Sequence, residues 1–370
     1  MHLLIIPSWY VTPELPDSGI FFREKALALQ TAGCRVGVLY VDLSPTDWKT
    51  KLQKGRWHQT RQYSDEGVAT FRTDGLGLPL KWALGRRKYL AEIRHLFEHY
   101  VAQNGLPDLI HAHSFWAGYA AIQLKRRYGI PFVYTEHLTL IQRGLMTPLY
   151  RQLVELTKKE AAATTAVSHA LAESMGAGVQ VVPNLVNTDF FTPAPTSDFR
   201  FLVVGDLIPR KSPRLIISAF QLSGLSQLTR LVFIGDGPLR SDLEKMAAGW
   251  PVEFRGRQMA ADVRTALQSA SCLILASDTE TFGVVLTEAM SCGIPCIATR
   301  CGGPEDIITD ETGILVEKDR PEALAQAMVE VFEQRNRFDQ ATIRQTAITR
   351  FGHKKVAQQW ISLYHDITGK

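Results

Sequence analysis

The forty residues from Cys272 to Glu311 constrain this chain more than any other stretch. They read CLILASDTETFGVVLTEAMSCGIPCIATRCGGPEDIITDE. An apolar run of strand type, Cys272 to Ala276, breaks at the polar loop Ser277-Asp278-Thr279-Glu280. Phe282-Gly283-Val284-Val285 then leads into a helix carrying Glu288, followed by a second strand at Ile294 to Ala298 and a Gly302-Gly303-Pro304-Glu305 turn. A strand–loop–helix–strand unit belongs to a parallel α/β sheet, and in open sheets of that kind ligands bind outside the carboxyl ends of the strands. A helix start with free backbone N–H groups, and a glycine that permits close approach, suits an anionic ligand such as phosphate.

Two carboxylates flank that helix start. Glu280 lies in the loop and Glu288 in the helix, with seven residues between them. In one continuous helix they would stand about 12 Å apart near one face, too far to share a proton. Each therefore reads as an acceptor for hydroxyls on a different part of one extended ligand. A sugar nucleotide, with hydroxyls on sugar and ribose and a diphosphate between, meets that demand. The bland alternative is two solvated residues at a helix flank.

At 370 residues the chain has room for two domains. Hydrophobic content of 45% with 21% charged residues is that of a globular protein. No run of 18 apolar residues occurs, so no transmembrane span is expected. The start, MHLLIIPSWY, has no basic leader and too short an apolar core for a signal peptide, and reads as a first strand. The cysteines, Cys34, Cys272, Cys292, Cys296 and Cys301, are expected as buried reduced thiols. Residues 1–187 carry 21 Lys and Arg against 15 Asp and Glu, net +6, while residues 188–370 carry 20 against 22, net −2. That asymmetry points to an anionic partner or surface on the N-terminal half.

Along the chain, strand and helix signals alternate. Met1 to Ile6 is a strand, a helix opens near Ser18-Gly19 and runs to Thr31, and Arg35 to Val41 is the next strand. Trp48 to Ser64 holds five Lys or Arg, no acid, and Trp48, Trp57 and Tyr63. Lys81 to Tyr100 then reads as a basic amphipathic helix with aromatics. Both features suit contact with an anionic membrane, and a solvated helix face over core aromatics explains the same letters. Pro107 to His113 is a strand ending in His111-x-His113, a pair with zinc-ligand spacing but no third ligand nearby. Pro131 to His137 is a further strand whose tip, Glu136 and His137, either orients an acceptor or forms a satisfied edge pair. Pro193 to Ser197 reads as a linker. Beyond it, Phe201 to Val204 is a strand, Gly205 to Lys211 its loop and Pro213 to Phe220 a helix, and the adjacent cations Arg210 and Lys211 at the strand tip suit two phosphates. Leu231 to Ile234 and Val252 to Arg257 follow as strands, then helices at Arg320 to Gln334 and Val356 to Ile367.

The run Glu280-Thr281-Phe282-Gly283-Val284-Val285-Leu286-Thr287-Glu288-Ala289-Met290, with Gly293-Ile294-Pro295 and Gly302-Gly303-x-Glu305, resembles the signature of glycosyltransferase family 4. The resemblance extends over nearly the whole chain. It implies a GT-B fold, α/β with two Rossmann-like domains facing a central cleft, and a retaining, metal-independent enzyme. On the donor side it implies Lys211 on the diphosphate. Asp206 stands where the family commonly has Arg, which leaves Arg210 as the substitute. It further implies Gly19 and Gly205 in phosphate-side loops, Arg257 near the base, backbone groups of Phe282, Gly283 and Val284 on the phosphates, Glu280 on sugar hydroxyls and Glu288 on the ribose. His113 would face the transferred sugar while His111 points into the domain, and Ser168 would sit in a loop facing the cleft, with Glu136 and His137 on the acceptor side. Val181 to Asn187 resembles the family's PNGVD segment, with Leu185 and Asn187 replacing Gly and Asp.

The expectation is therefore an acceptor-side domain over 1–192, a donor domain over 198–351, and a final helix over 352–370 that crosses back. The reaction would move a sugar from a UDP- or GDP-linked donor to a hydroxyl on a glycan or lipid-linked acceptor, in bacterial envelope polysaccharide or glycolipid synthesis. Neither cofactor nor metal is implied, and no nucleic-acid partner. The location expected is cytoplasmic, peripheral to the inner face of the membrane. Two rivals share the same diphosphate grip: a GT-B sugar-nucleotide epimerase and a non-catalytic nucleotide-sugar-binding protein.

Overall fold

Leu3, Leu4, Ile5 and Ile6 are wholly buried, and a strand apolar on both faces belongs in the middle of a parallel sheet covered by helices. That is where β1 (His2–Ile6) lies in the computed structural model, which describes residues 1–12, 18–43, 58–195 and 198–370. The basic aromatic residues 48–57 and Thr196-Ser197 of the expected linker fall outside the described residues. The chain divides into two units. One comprises Met1–Val167, Ala172–Val182 and Ala357–Lys370, the other Ser168–Leu171 and Pro183–Val356.

The first unit is built on β1, β2 (Arg35–Asp42), β3 (His58–Asp65), β4 (Val68–Gly75), β5 (Leu109–His113), β6 (Phe132–Glu136), β7 (Ala163–Ala166) and β8 (Val179–Val181). Their order is β3-β4-β2-β1-β5-β6-β7-β8, parallel throughout except for the β3–β4 pair. Its helices are α1 (Ile20–Thr31), α2 (Ala83–Asn104), α3 (Ser114–Tyr128), the short α4 (Thr139–Gln142), α5 (Pro148–Glu160) and α6 (His169–Met175), the last beginning among residues grouped with the other unit. Strand order reverses between β1 and β5, so the loops after those two strands flank a topological switch point. Gly19, in the loop before α1, adopts φ 75°, and a Cβ there would lie 2.7 Å from the Trp9 carbonyl oxygen. Only glycine satisfies both conditions.

The second unit is a six-stranded parallel sheet. It contains β9 (Arg200–Val204), β10 (Arg230–Ile234), β11 (Val252–Phe254), β12 (Cys272–Leu275), β13 (Cys296–Thr299) and β14 (Gly313–Val316) in the order β11-β10-β9-β12-β13-β14. Counted from β9, this is 3-2-1-4-5-6, the doubly wound dinucleotide-binding order, with its switch point between β9 and β12. Helices α7 (Pro213–Leu222), α8 (Arg240–Met246), α9 (Ala260–Gln268), α10 (Val284–Ser291), α11 (Pro321–Glu333) and α12 (Gln340–Phe351) accompany it. The last helix, α13 (His353–Thr368), starts among residues of this unit and continues among those of the first.

Several expectations change. The helix expected from Lys81 begins at Ala83 and buries Tyr89, Ile93, Phe97 and Tyr100, so its aromatics serve the core. Residues 58–64 of the basic stretch form edge strand β3, paired with β4 in a hairpin that the scarcity of apolar residues concealed. Because α10 begins only at Val284, the helical separation assumed between Glu280 and Glu288 does not apply. All five thiols are free and buried. Among the described residues no helix is long and apolar enough to cross a membrane.

Candidate active site

In the second unit the loops after β9 and β12 meet at the switch point. After β9 the chain makes a short 3-10 turn, Pro209–Lys211, and Ser212 takes φ 42° before α7 starts. Ser212 Oγ donates to Asp278 Oδ1 at 2.6 Å, the Asp278 amide donates to the Arg210 carbonyl at 2.8 Å, and Arg210 Nη1 donates to the Thr279 carbonyl at 3.1 Å. The two loops are thereby tied through both backbone and side chains. Lys211 Nζ hydrogen-bonds Glu280 Oε2, and Arg210 Nη1 lies 3.8 Å from the same oxygen. The Glu280 carboxylate thus lies between two cations at the strand tips.

Glu280 is held from behind as well. Its amide donates to the Cys301 carbonyl at 3.0 Å, and its carbonyl accepts from the Gly303 amide at 2.7 Å. Glu305 carboxylate oxygens accept from the Cys301 amide (3.2 Å) and the Gly302 amide (3.0 and 3.1 Å), shaping that turn. Gly303 is packed so tightly that a Cβ would come within 2.3 Å of Phe282 Cα. Phe282 is buried, and Gly283, at φ 95°, caps the start of α10, whose Leu286 amide turns back to the Gly283 carbonyl at 2.9 Å. Glu288 is half-buried on that helix.

Other donor-side expectations fare differently. Gly205 takes φ 155°, and its carbonyl oxygen would stand 1.9 Å from a Cβ on Gly235, so the loops after β9 and β10 cross at a point only glycine permits. Arg257 lies beyond the end of β11, exposed, and its Nη2 donates to Asp206 Oδ1 at 2.8 Å. The residue in the family's arginine position is thus neutralised by a different arginine. Asn187 Oδ1 accepts from the amides of Asp189 and Phe190 at 3.2 and 3.1 Å, a local turn role. Ser168 Oγ accepts from the Leu171 amide at 3.3 Å and caps α6.

In the first unit, His113 ends β5 at the other switch point. Its ring is wholly buried against Phe22, centroids 4.7 Å apart, and Nδ1 lies 2.9 Å from His137 Nε2. His113 Nε2 and His137 Nδ1 have no hydrogen-bond partner among the described residues. The next residue, Ser114, is buried with φ 68°, a strained conformation for a side-chain-bearing residue at the tip of a strand. His111 points into the unit, with Nδ1 2.6 Å from the Tyr364 hydroxyl and Nε2 2.6 Å from Thr135 Oγ1. Its ring stacks on His113 at 4.1 Å and 22°. All three imidazoles are held well below the ordinary histidine range, by burial first and then by neighbouring cationic groups.

The Glu136 carboxylate is fully engaged inside the first unit. It is wholly buried, and Oε1 accepts from the amides of His137 (2.8 Å) and Leu138 (2.9 Å). Oε2 accepts from the Tyr134 hydroxyl (2.6 Å) and the Phe115 amide (3.3 Å). With four donors, Glu136 anchors the backbone on both sides of the histidine pair. Sequence reasoning missed Lys25, buried on α1 beside this array. The signal was present, since Phe22, Ala26 and Leu29 define an apolar helical face that includes position 25.

Two family models match consecutive halves of the chain: glycosyl transferase 4-like domain over residues 18–187 and glycosyl transferases group 1 over 187–347. The D-inositol 3-phosphate glycosyltransferase of Paenarthrobacter aurescens is 26% identical over 71% of this chain and 74% of its own. The N-acetyl-alpha-D-glucosaminyl L-malate synthase of Bacillus anthracis is 26% identical over 72% and 77%. Among solved structures, sucrose-phosphate synthase from Thermosynechococcus elongatus superposes with TM-score 0.79 at 20% identity, covering 100% of this chain and 99% of its own. Anabaena HepE, solved with UDP and glucose, gives TM-score 0.74 at 18% identity over 99% and 100%. At such identities the structural likeness speaks for the fold alone, which is GT-B.

Proposed function

Because the chain belongs to the glycosyl transferases group 1 family and is a glycosyltransferase of GT-B fold, we propose that it moves a sugar from a nucleoside diphosphate, UDP- or GDP-linked, to a hydroxyl with retention of configuration. The observation that carries this reading is the convergence of Lys211, Arg210 and Glu280 at the switch point of the second unit, beside the opening amides of α10. Departure of a diphosphate develops negative charge that two cations and fixed N–H dipoles stabilise without a proton transfer. Glu280, already oriented by Lys211 and by the 301–303 segment, accepts from sugar hydroxyls, and Glu288 from the ribose. No protein nucleophile is invoked. The leaving phosphate takes the acceptor proton on the same face, and His113 positions the sugar. The proposed donor matches what HepE binds in its crystals, UDP and glucose.

The acceptor proposed is a glycan or lipid-linked hydroxyl of the bacterial cell envelope, reached at the inner face of the membrane. Support comes from the first unit, where Trp82 and Leu84 are 54% and 62% exposed beside the exposed Lys81 and Arg87. Sedimentation with anionic liposomes at low salt tests that part: wild type should pellet, Trp82→Ser should not, and failure of wild type to pellet would refute it. For the donor, thermal-shift titration in EDTA with UDP, GDP, ADP and their sugar conjugates is decisive. Binding at a hundredfold excess over Kd raises stability by about 2.7 kcal/mol. A shift with one nucleotide family, lost in Lys211→Ala, supports the reading, whereas no shift with any of them refutes it. Product analysis then separates transfer from epimerisation of the donor and from binding alone.

A further inference from the structure

The wall behind the His113–His137 pair holds a lysine that the proposed chemistry does not use. Lys25 lies on α1, one turn after Phe22, and is 7% exposed. Its Nζ stands 3.3 Å from the centroid of the Trp360 ring, and among the described residues no carboxylate pairs with it. Trp360, from α13, also lies 4.7 Å from the His111 ring, and Tyr364, one turn further on, hydrogen-bonds His111 Nδ1. His111 stacks on His113, and His113 hydrogen-bonds His137. One amine and three imidazoles therefore share a single buried region of the first unit.

Charges in such a region repel strongly, so it accommodates one proton charge at a time. Among the described residues, Glu136 at the end of β6 has both carboxylate oxygens occupied by four donors. The aromatic face under Lys25 is a seat for a cation, an attraction that desolvation strengthens. Both nitrogens of His111 are taken up at 2.6 Å by the Tyr364 and Thr135 hydroxyls. His113 and His137 face each other and Phe22. Burial pushes the Lys25 amine well below the usual lysine range, and attraction to the Trp360 face opposes that for the cation.

We propose that Lys25 is a positioning residue for the transfer reaction: its cation, seated on Trp360, keeps protons off the imidazole array, so that His113 meets the sugar as a neutral ring. The proposal rests on the role given to His113 above. Among the described residues, the groups facing the array include Lys25 from α1, His111 from β5, Glu136 and His137 from the end of β6, and Tyr364 from α13. The array is thus supported from the C-terminal helix, which supplies both the cation's seat and the partner of His111.

Lys25→Met keeps length and volume and removes the charge, and Lys25→Gln removes the charge but keeps a polar end. Both are compared with wild type, as full chains, by the pH profile of kcat/KM, by titration of the labelled imidazoles in NMR spectra, and by Tm. In wild type the three imidazoles should stay neutral to the lowest pH at which the fold persists. In both variants an imidazole of the array should titrate at least about 1 pH unit higher, with the acid limb of kcat/KM moving alike. Lys25→Met should also hold or raise Tm, because an apolar chain replaces a buried charge. Imidazole titrations that stay at their wild-type positions overturn the proposal, as does a loss of Tm unaccompanied by a titration shift, which marks a packing role only. A wild type that transfers no sugar counts against the proposed function, and the imidazole titration still decides the case of Lys25.

Discussion

Lys211 donates to Glu280 Oε2 across 69 residues of sequence, joining the two loops at which the strand order of the second unit reverses. Each partner is mostly buried, the lysine side chain 23% and the glutamate 12% exposed. The pair is therefore set before any ligand arrives, and Arg210 at 3.8 Å brings a second cation to the same carboxylate. Positive charge that is already fixed in place costs no reorganisation when a diphosphate forms or departs.

Removing the lysine should separate binding from chemistry. Lys211→Ala should weaken UDP or GDP binding roughly 10- to 100-fold, the equivalent of one charge-assisted hydrogen bond of about 1.5–3 kcal/mol. Glu280→Gln should leave affinity for the free nucleotide within a few fold and reduce turnover, since its proposed contact is to sugar. Titration calorimetry with nucleotide, set beside turnover with the sugar conjugate, measures both.

Gly303 has space for a hydrogen and nothing larger. A Cβ would meet the Phe282 backbone at 2.3 to 2.5 Å, immediately before the start of α10. Gly303→Ala should therefore push the Phe282–Gly283 segment aside, at about 1–3 kcal/mol in stability, and weaken nucleotide binding at least tenfold. Chemical denaturation and nucleotide titration on the same preparation test this, and an unchanged Kd would count against the α10 amides as phosphate ligands.

Glu136 should prove structural in its first effect. Glu136→Ala strands three backbone amides and the Tyr134 hydroxyl, each left-over donor costing about 1–3 kcal/mol. Four such donors cost at least about 4 kcal/mol, so the melting transition of the first unit should fall by at least about 8–16 °C. Glu136→Gln, which keeps an acceptor oxygen, should fall less.

Acid should destabilise the first unit before the second. His111, His113 and His137 are held well below the ordinary range of about 6.5 in the fold, and they titrate near that value once unfolded. Below that pH the unfolded chain takes up protons that the fold refuses, so the stability these groups contribute is present above about pH 6.5 and lost as pH falls. The slope is about 1.4 kcal/mol per pH unit for each histidine, up to roughly 4 kcal/mol for three. Urea unfolding at pH 7.5 and pH 5.5, followed through the first unit, should show the loss, and equal midpoints would contradict it.

The sequence alone determined the strand-and-helix alternation, the parallel sheets and the loops at the second unit's switch point, because those features are local. Strands such as Leu3–Ile6 and Cys272–Leu275 are apolar on both faces, and Gly283 and Gly303 mark backbone that tolerates no side chain. Local signals failed where a polar residue's meaning depends on what covers it. Glu136 read equally as an acceptor-side group or a satisfied edge pair, and its burial among four donors came only with the fold, as did the helix cap that Ser168 supplies. The edge strand β3, polar and half-exposed, carried too little apolar pattern to be read. Only the tertiary structure brought Lys211 to Glu280, Arg257 to Asp206, and Lys25 of α1 to Trp360 of α13. Burial and charge partners arise from segments far apart in the chain, and they decide whether a carboxylate, an amine or an imidazole is an anchor, a cation or a neutral ring.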